Sequence, residues 1–347
     1  MLNLFIAFAV AALLSFLLAI PQRLLALRFG FVDAPDERRA HLGIRPRLGG
    51  VSMLLAFAAG LVAASYAFDT KPLAVIGGAT LLVVAGSVDD KRMPDGRELN
   101  PIIQLAIQLI AAGIAVAAGV QILDVRDPRA PAPFGGLLHL PLWATVLFTL
   151  FWIAGMINTV NFLDGMDGLA GGVCAIASLV LAFVSLRLGQ LDVALLCFAL
   201  AGVAAGFLPH NIYPARTFMG TSGAWFLGYC LAALSIIGGA KLATALLVIG
   251  VPVFDVALLI LLRTLRGQRF WQGDRAHLHH RLLDVGLSQR STLILYYSLS
   301  AAFGLYAFAF TSNTSVGLGP KLYGLAALVA IMVCILTVLT RRQARAK

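Results

Sequence analysis

Apolar runs about 20 residues long recur almost from end to end of this chain. A run of that length is what an α-helix, rising about 1.5 Å per residue, needs to cross the hydrocarbon core of a bilayer. Inside lipid the backbone must satisfy its own hydrogen bonds, and a helix does so within a single segment. The recurrence therefore predicts an all-α, polytopic membrane bundle. Composition matters at one point: 12% of the residues are charged, against roughly 25% in soluble domains. A soluble enzyme, a secreted disulfide scaffold and a disordered chain are thereby excluded.

Eleven transmembrane helices are read, at 2–20, 48–68, 72–88, 101–123, 141–157, 166–186, 191–209, 219–239, 241–262, 291–311 and 321–340, within one domain spanning 1–347. Loops at 21–47, 89–100, 158–166, 210–218 and 263–290 then share one side of the membrane. With the N-terminus outside, those loops and the tail 341–347 hold 20 of the 26 Lys and Arg; Lys71, Arg126, Arg129, Arg187, Lys241 and Lys321 stay outside. Cytoplasmic loops carry the excess of basic residues, so the expectation is an outside N-terminus and a cytoplasmic C-terminus. The same distribution explains the net charge of +10 without nucleic acid, because basic residues beside the bilayer face its anionic leaflet. The first span has no basic residue before its apolar core and carries Arg23 and Arg28 after it. It is expected to remain as a membrane helix and not to be cleaved as a signal. Cys174, Cys197, Cys230 and Cys334 all lie in apolar runs with no pair at metal-ligand spacing, and read as small hydrophobes.

Charge beside a bilayer is costly unless it is paired or used, and twelve of the sixteen acidic residues lie on or near the cytoplasmic side. Asp89 and Asp90 close the third span. Adjacent carboxylates repel, so the pair asks for a divalent cation with oxygen ligands or for a basic partner, Lys91 and Arg92 being next in the chain; a solvated helix end is the alternative. Asn158, Asn161, Asp164 and Asp167 recur at a spacing of three, which makes neighbours adjacent on a helix or helical turn. Gly165 and Gly168 permit close approach there, and no Lys or Arg neutralises the stripe, which points to a polar ligand, a metal or a polar patch gluing helices together. The loop 267–289 holds Arg269, Asp274, Arg275, His277, His279, His280 and Arg281. His277 and His280 share a helical face by spacing, and with the arginines suit a phosphate. Zinc is the competing reading, without an HExxH pattern or a nearby Cys to support it. The first loop adds His41 and Arg47 ahead of Gly49-Gly50, and the small residues of 216–223 leave backbone amides for an anion at a helix N-terminus.

Taken together, FVDAPDERRAHLGIRPRLGG, VDD, NTVNFLDGMDGLAGG, FMGTSGAWFLGY and DRAHLHHRLLDVGLS resemble, in order and topology, the polyprenyl-phosphate N-acetylhexosamine-1-phosphate transferases, from about residue 30 to residue 290. The HLHH form is more similar to the bacterial undecaprenyl-phosphate GlcNAc-1-phosphate transferases that start O-antigen, enterobacterial common antigen or teichoic acid synthesis than to the phospho-MurNAc-pentapeptide branch. The resemblance implies an enzyme of the bacterial inner membrane with its active site on the cytoplasmic face. It would transfer a sugar 1-phosphate from a UDP-N-acetylhexosamine to undecaprenyl phosphate, releasing UMP, with Mg²⁺ as cofactor, Mn²⁺ as the alternative, and a homodimer left open. By the same resemblance Asp89, Asp90, Asp164 and Asp167 are the catalytic residues, with Asp89 orienting or deprotonating the lipid phosphate. Asn158, Asn161, His277, His279, His280, Arg281, His41 and Arg47 would bind substrate, and Asn161, Asp90 and position 221 would hold the metal. One departure stands out: the family pattern FMGD places an aspartate where this chain has Thr221, and a neutral hydroxyl is a weaker Mg²⁺ ligand. Compensation by Asp90, a silent paralogue of the same fold and an inactivating substitution are all open at this stage. Met93 likewise follows the acidic pair where some relatives have a further Asp. A transporter is the reading from another class, but it calls for carboxylates near the midplane and inverted repeats, whereas these carboxylates sit at span ends.

Overall fold

The computed structural model describes residues 1–33, 45–95, 97–126, 136–237, 242–265, 267, 277–311 and 318–345; His41, Arg269, Asp274 and Arg275 lie outside them. The helices are α1 (Leu2–Phe29), α2 (Gly49–Ala63), α3 (Thr70–Arg92), α4 (Pro101–Ala117), α5 (Leu142–Leu163), α6 (Leu169–Arg187), α7 (Leu191–Asn211), α8 (Gly220–Ile236), α9 (Leu242–Val248), α10 (Gly250–Leu265), α11 (Leu278–Asp284), α12 (Gln289–Ala309) and α13 (Leu318–Arg345). Two short antiparallel pairs interrupt them: β1 (Val32–Asp33) with β2 (Arg45–Pro46), and β3 (Asp124–Arg126) with β4 (Leu137–His139). The chain is thus a polytopic, all-α membrane protein.

Among the described residues, seven helices are long and apolar enough to cross a bilayer, or eight if the bent pair α9–α10 is one span. The other apolar segments of the eleven-span expectation are the shorter helices α2, α4 and α8, of 15, 17 and 17 residues. Position 241–262, read as one run, is broken by an 85° bend between α9 and α10. The bend has a local cause. Pro252 has no N–H to donate to the Val248 carbonyl one turn earlier, and Gly250 beside it resists the bend least.

All 17 residues of α8 are buried, so this helix is surrounded by protein and its length is set by its neighbours. Its packing depends on glycines. A methyl group on Gly50 of α2 would lie 2.5 Å from the Ser222 carbonyl carbon, one on Gly86 of α3 2.6 Å from the Ser222 Cα, and one on Gly228 of α8 2.8 Å from the Ile157 Cα of α5. Between apolar helices in lipid the attraction comes from close van der Waals contact, which small residues permit. Outside this core the apolar side chains face outward, as with Phe148 and Phe151 on α5, the arrangement a lipid solvent favours. The C-terminal ends of α3, α5 and α7 meet the N-terminal ends of α2, α6 and α8 at one end of the bundle, which is where the polar clusters lie.

Candidate active site

Asp89 and Asp90 close α3, and their counter-charge is not Lys91 or Arg92. Successive helical side chains diverge by about 100°, and Lys91 and Arg92 are exposed, with Lys91 lying over the Phe31 ring. The cation comes from the first loop. Arg47 donates from Nε to Asp90 Oδ1 at 2.8 Å, from Nη1 to Asp33 Oδ2 at 3.3 Å and from Nη2 to Thr221 Oγ1 at 3.4 Å. Arg47 follows β2 directly, and that strand is tied to the segment before α8, because the Pro46 carbonyl accepts the Phe218 N–H at 2.8 Å and the Thr217 hydroxyl at 3.1 Å.

The two carboxylates then divide their work. Asp90 is fully buried; besides Arg47 it accepts the N–H of Thr221 (2.7 Å), the N–H of Ser222 (3.1 Å) and the Ser222 hydroxyl (2.8 Å). It is the N-terminal cap of α8, supplied by a different helix, where the helix dipole favours negative charge. The amides that the sequence leaves open for an external anion are therefore taken by one from within the chain. Gly220, at φ +71°, makes this possible, since a methyl group there would stand 2.5 Å from Asp90 Oδ2. Asp89 instead accepts the Thr221 hydroxyl on Oδ2 at 2.9 Å, and the Leu99 N–H (2.7 Å) and Gln104 amide (3.3 Å) on Oδ1.

The Asn/Asp stripe splits by position. Asn158 pairs with Gln108 of α4, donating to its Oε1 at 2.6 Å, and also donates to the Ala154 carbonyl; it joins helices, as the glue reading has it. Asn161 is half-buried one turn later. Helix α5 stops at Leu163, so Asp164 and Asp167 fall in the turn before α6. That turn is pinned by the Ala215 N–H to Asp167 Oδ2 (2.9 Å), the Gly168 N–H to Asn211 Oδ1 (3.2 Å) and the Tyr297 hydroxyl to the Gly168 carbonyl (2.6 Å). Burial pushes Asp164 up to about 8; Arg47 opposes the shift, and Asp90 and Asp167 add to it.

His277 does not share a face with His280, because it stands just before the first residue of α11. Its ring stacks on Phe162 of α5 and on His279, with centroids 5.7 Å apart in each case, and His279 continues the row to His280 at 4.3 Å. His277 Nδ1 lies 2.9 Å from Asp255 Oδ2 of α10. His279 is buried with no partner for Nε2 among the described residues, and that atom faces Gly165, where a methyl group would be 2.7 Å away. The histidine row thus abuts the NFLDG segment. Arg281 points elsewhere, donating to Thr340 of α13 at 3.1 Å. Asp33 and Asp255 are site residues that the sequence reading passed over. Asp255 carried a signal, a lone carboxylate inside an apolar run, which in a membrane protein asks for a partner.

Residues 72–239 match the family described as Glycosyl transferase family 4. A probable undecaprenyl-phosphate N-acetylglucosaminyl 1-phosphate transferase of Bacillus subtilis is 32% identical over 90% of this chain and 87% of its own length. A decaprenyl-phosphate N-acetylglucosaminephosphotransferase of Mycolicibacterium smegmatis is 33% identical over 95% and 87%. A phospho-N-acetylmuramoyl-pentapeptide-transferase of Desulforudis audaxviator is 31% identical over 82% and 90%. The chain belongs to glycosyl transferase family 4. These relatives are phosphotransferases, and two of their names specify a polyprenyl phosphate. Among the described residues no three His, Cys, Asp or Glu groups stand close enough to hold a metal by themselves, and the oxygens of Asp90 are taken up by Arg47, Thr221 and Ser222. The set fits a hard cation in two respects. The groups at this end of the bundle are oxygen donors, Asn161, Asp164, Asp89 and the Thr221 hydroxyl, and Asp90 and Asp167 add to the burial that holds Asp164 up to about 8.

Proposed function

We propose that this protein transfers GlcNAc-1-phosphate from UDP-GlcNAc to undecaprenyl phosphate, releasing UMP, as the first step in building a cell-envelope polysaccharide on the cytoplasmic face of the bacterial inner membrane. The observation that carries the reading is convergence. Arg47 of the first loop, Asp89 and Asp90 of α3, Asp164 after α5 and Thr221 of α8 interact at one end of an apolar bundle, where a lipid phosphate and a water-soluble nucleotide sugar can meet. In the reaction an oxygen of the lipid phosphate bonds to the sugar-bearing phosphorus. The bond from that phosphorus to the bridging oxygen breaks, and UMP leaves with the electron pair. Such a step needs alignment and charge neutralisation more than covalent help from the protein. A phosphate monoester is already largely ionised near neutrality, its second pKa being about 6, so Asp89 serves to orient and need not remove a proton. Arg47 offers fixed positive charge beside it, and the row His277–His279–His280 borders the place for the donor. Mg²⁺, or Mn²⁺, would be held by Asn161 and Asp164 with Asp89 and Thr221 beside them, and supplies charge neutralisation when bound.

The test is an assay of the purified protein with undecaprenyl phosphate, Mg²⁺ and a panel of labelled UDP-sugars. UMP release and a diphosphate-linked lipid from UDP-GlcNAc are expected; activity confined to another UDP-sugar overturns the donor assignment. Thr221 favours a second reading, an impaired member of the same fold. Its Oγ1 lies 2.9 Å from Asp89 Oδ2, so Thr221→Asp would set two carboxylates face to face across a space suited to a cation. If the metal sits there, Thr221→Asp raises turnover and lowers the Mg²⁺ concentration for half-maximal activity. Loss of activity in that variant, from an active wild type, removes position 221 from the metal's shell.

A further inference from the structure

Asp255 is buried in α10, beyond the bend, on a segment that is otherwise apolar up to Arg263. Both its oxygens are used by the start of α11: Oδ1 accepts the Leu278 N–H at 2.9 Å, and Oδ2 lies 2.9 Å from His277 Nδ1. An ionised carboxylate only accepts, so the ring nitrogen facing it must carry the proton. That leaves Nε2 as the atom His277 turns away from α10. The same ring is held flat between Phe162, two residues before Asp164, and His279, whose Nε2 faces Gly165. One carboxylate therefore sets three things at once: where α11 begins, the plane of the His277 ring, and which of its nitrogens carries the proton. The contact joins an intramembrane helix to the histidine row, and through Phe162 to the acidic turn.

We propose that Asp255 is a positioning residue that fixes the tautomer and pose of His277, presenting Nε2 to the nucleotide-sugar side of the site. The role assigned to Nε2 rests on the functional reading above; the tautomer itself does not. Asp255→Asn is the incisive variant, being the same shape. The Leu278 N–H still needs an acceptor, so the amide oxygen goes to it and the amide NH₂ turns toward His277 Nδ1. A nitrogen that receives a hydrogen bond cannot also carry the proton, so the proton moves to Nε2.

The experiment uses the full chain in nanodiscs, with ring-¹⁵N histidine, at about pH 8.5, above the ordinary imidazole range. The His277 signals are assigned by their loss in His277→Gln. Wild type is expected to show the Nδ1–H form and Asp255→Asn the Nε2–H form, with kcat reduced about tenfold to a hundredfold, the usual cost of removing the partner that orients a functional histidine, and the melting temperature little changed. The same tautomer in both proteins, or an unchanged kcat in Asp255→Asn, overturns the proposal. If Asp255→Asn does not fold, a second pair decides. His277→Gln places its amide nitrogen near the Nε2 position and His277→Asn near Nδ1, so the glutamine variant should retain more transfer; equal or better activity of the asparagine variant overturns the proposal. A wild type that transfers nothing from any UDP-sugar refutes the functional reading, and the tautomer comparison then decides this inference alone.

Discussion

Two adjacent carboxylates, both buried, do different things here, because each meets different donors. Asp90 is a structural anion. It closes the N-terminus of α8 and holds Arg47, with no exposure to solvent. Removing one partner of a buried ion pair leaves the other uncompensated and costs about 3–5 kcal/mol. Asp90→Ala is therefore expected to lower the melting temperature sharply along with activity. Asp89→Asn keeps the shape and loses the charge beside the proposed lipid phosphate. It should leave the melting temperature near wild type and reduce transfer by at least about a hundredfold, the scale of loss when a preorganised charged group is removed. Asp192→Asn, at the start of α7 and far from this end, should be nearly silent in both assays; equal losses there would mean that folding, not chemistry, is being measured. His279 gives a pH signature with a defined sign. Burial, with the His280 and His277 rings adding to it, holds its pKa well below the ordinary value of 6.5, so it is neutral in the folded protein. The unfolded chain takes up a proton at this residue below about pH 6.5. The stability it contributes is therefore complete above that value and lost as pH falls. Thermal unfolding measured from pH 7.5 down to pH 5 should show a decline that is shallower in His279→Asn; parallel curves would place the acid sensitivity elsewhere.

At the level of elements, the helices follow from local information and their meeting points do not. Apolar runs, the Asn100 side chain capping α4 with Pro101 behind it, and the Gly165–Gly168 turn before α6 are all written within a few residues, so the helices and the acidic ends of α3 and α5 could be read from the sequence. The partners were not legible in the same way. Gln108 for Asn158, Arg47 for Asp90 and Asp255 for His277 are 50, 43 and 22 residues away, and only packing brings them together. Periodicity also missed the break between α9 and α10, because Gly250 and Pro252 do not interrupt an apolar run even though they interrupt its hydrogen bonds. Packing itself makes a prediction at this scale. Gly86 and Gly77 lie on the same helix, but a methyl group at Gly86 would collide with the Ser222 backbone, while at Gly77 nothing lies within 4 Å. Overfilling a close helix contact costs about 1–3 kcal/mol, and Ser222 is one of the donors to Asp90. Gly86→Ala should therefore lower both the melting temperature and transfer, and Gly77→Ala neither; tolerance of both would mean that α3 and α8 can separate without harm to the site.

For the whole molecule, what needs deciding is which side of the membrane each end occupies, and there the bent pair is decisive. If α9–α10 dipped into the bilayer and returned, the number of crossings would change by one and both termini would share a side. Three contacts argue otherwise. Lys321, at the start of α13, donates to Thr244 of α9 at 3.1 Å, and Arg187, at the end of α6, donates to the Phe308 carbonyl at the end of α12 at 2.8 Å; these groups lie at the end of the bundle away from the carboxylates. Asp255 of α10 meets His277, beside the acidic turn. The chain therefore passes from the far end to the near end along α9–α10, and α12 and α13 then take it back and return it. Arg281 next to the site donates to Thr340 near the end of α13, which brings the C-terminal helix to the same end as the site. The sequence count agrees, since the loops and tail expected on the near side hold 20 of the 26 Lys and Arg, and the bias for inside charge turns that side to the cytoplasm. We therefore expect a reporter that works only in the cytoplasm to be active when fused after Lys347, and a cysteine added before Met1 to react with a membrane-impermeant thiol reagent applied from outside. Labelling of the N-terminal cysteine only after the membrane is breached, together with an active C-terminal fusion, would put both ends inside and make α9–α10 re-entrant. An inactive C-terminal fusion with the N-terminus inside would invert the molecule and place the proposed active site on the face where no nucleotide sugar is supplied.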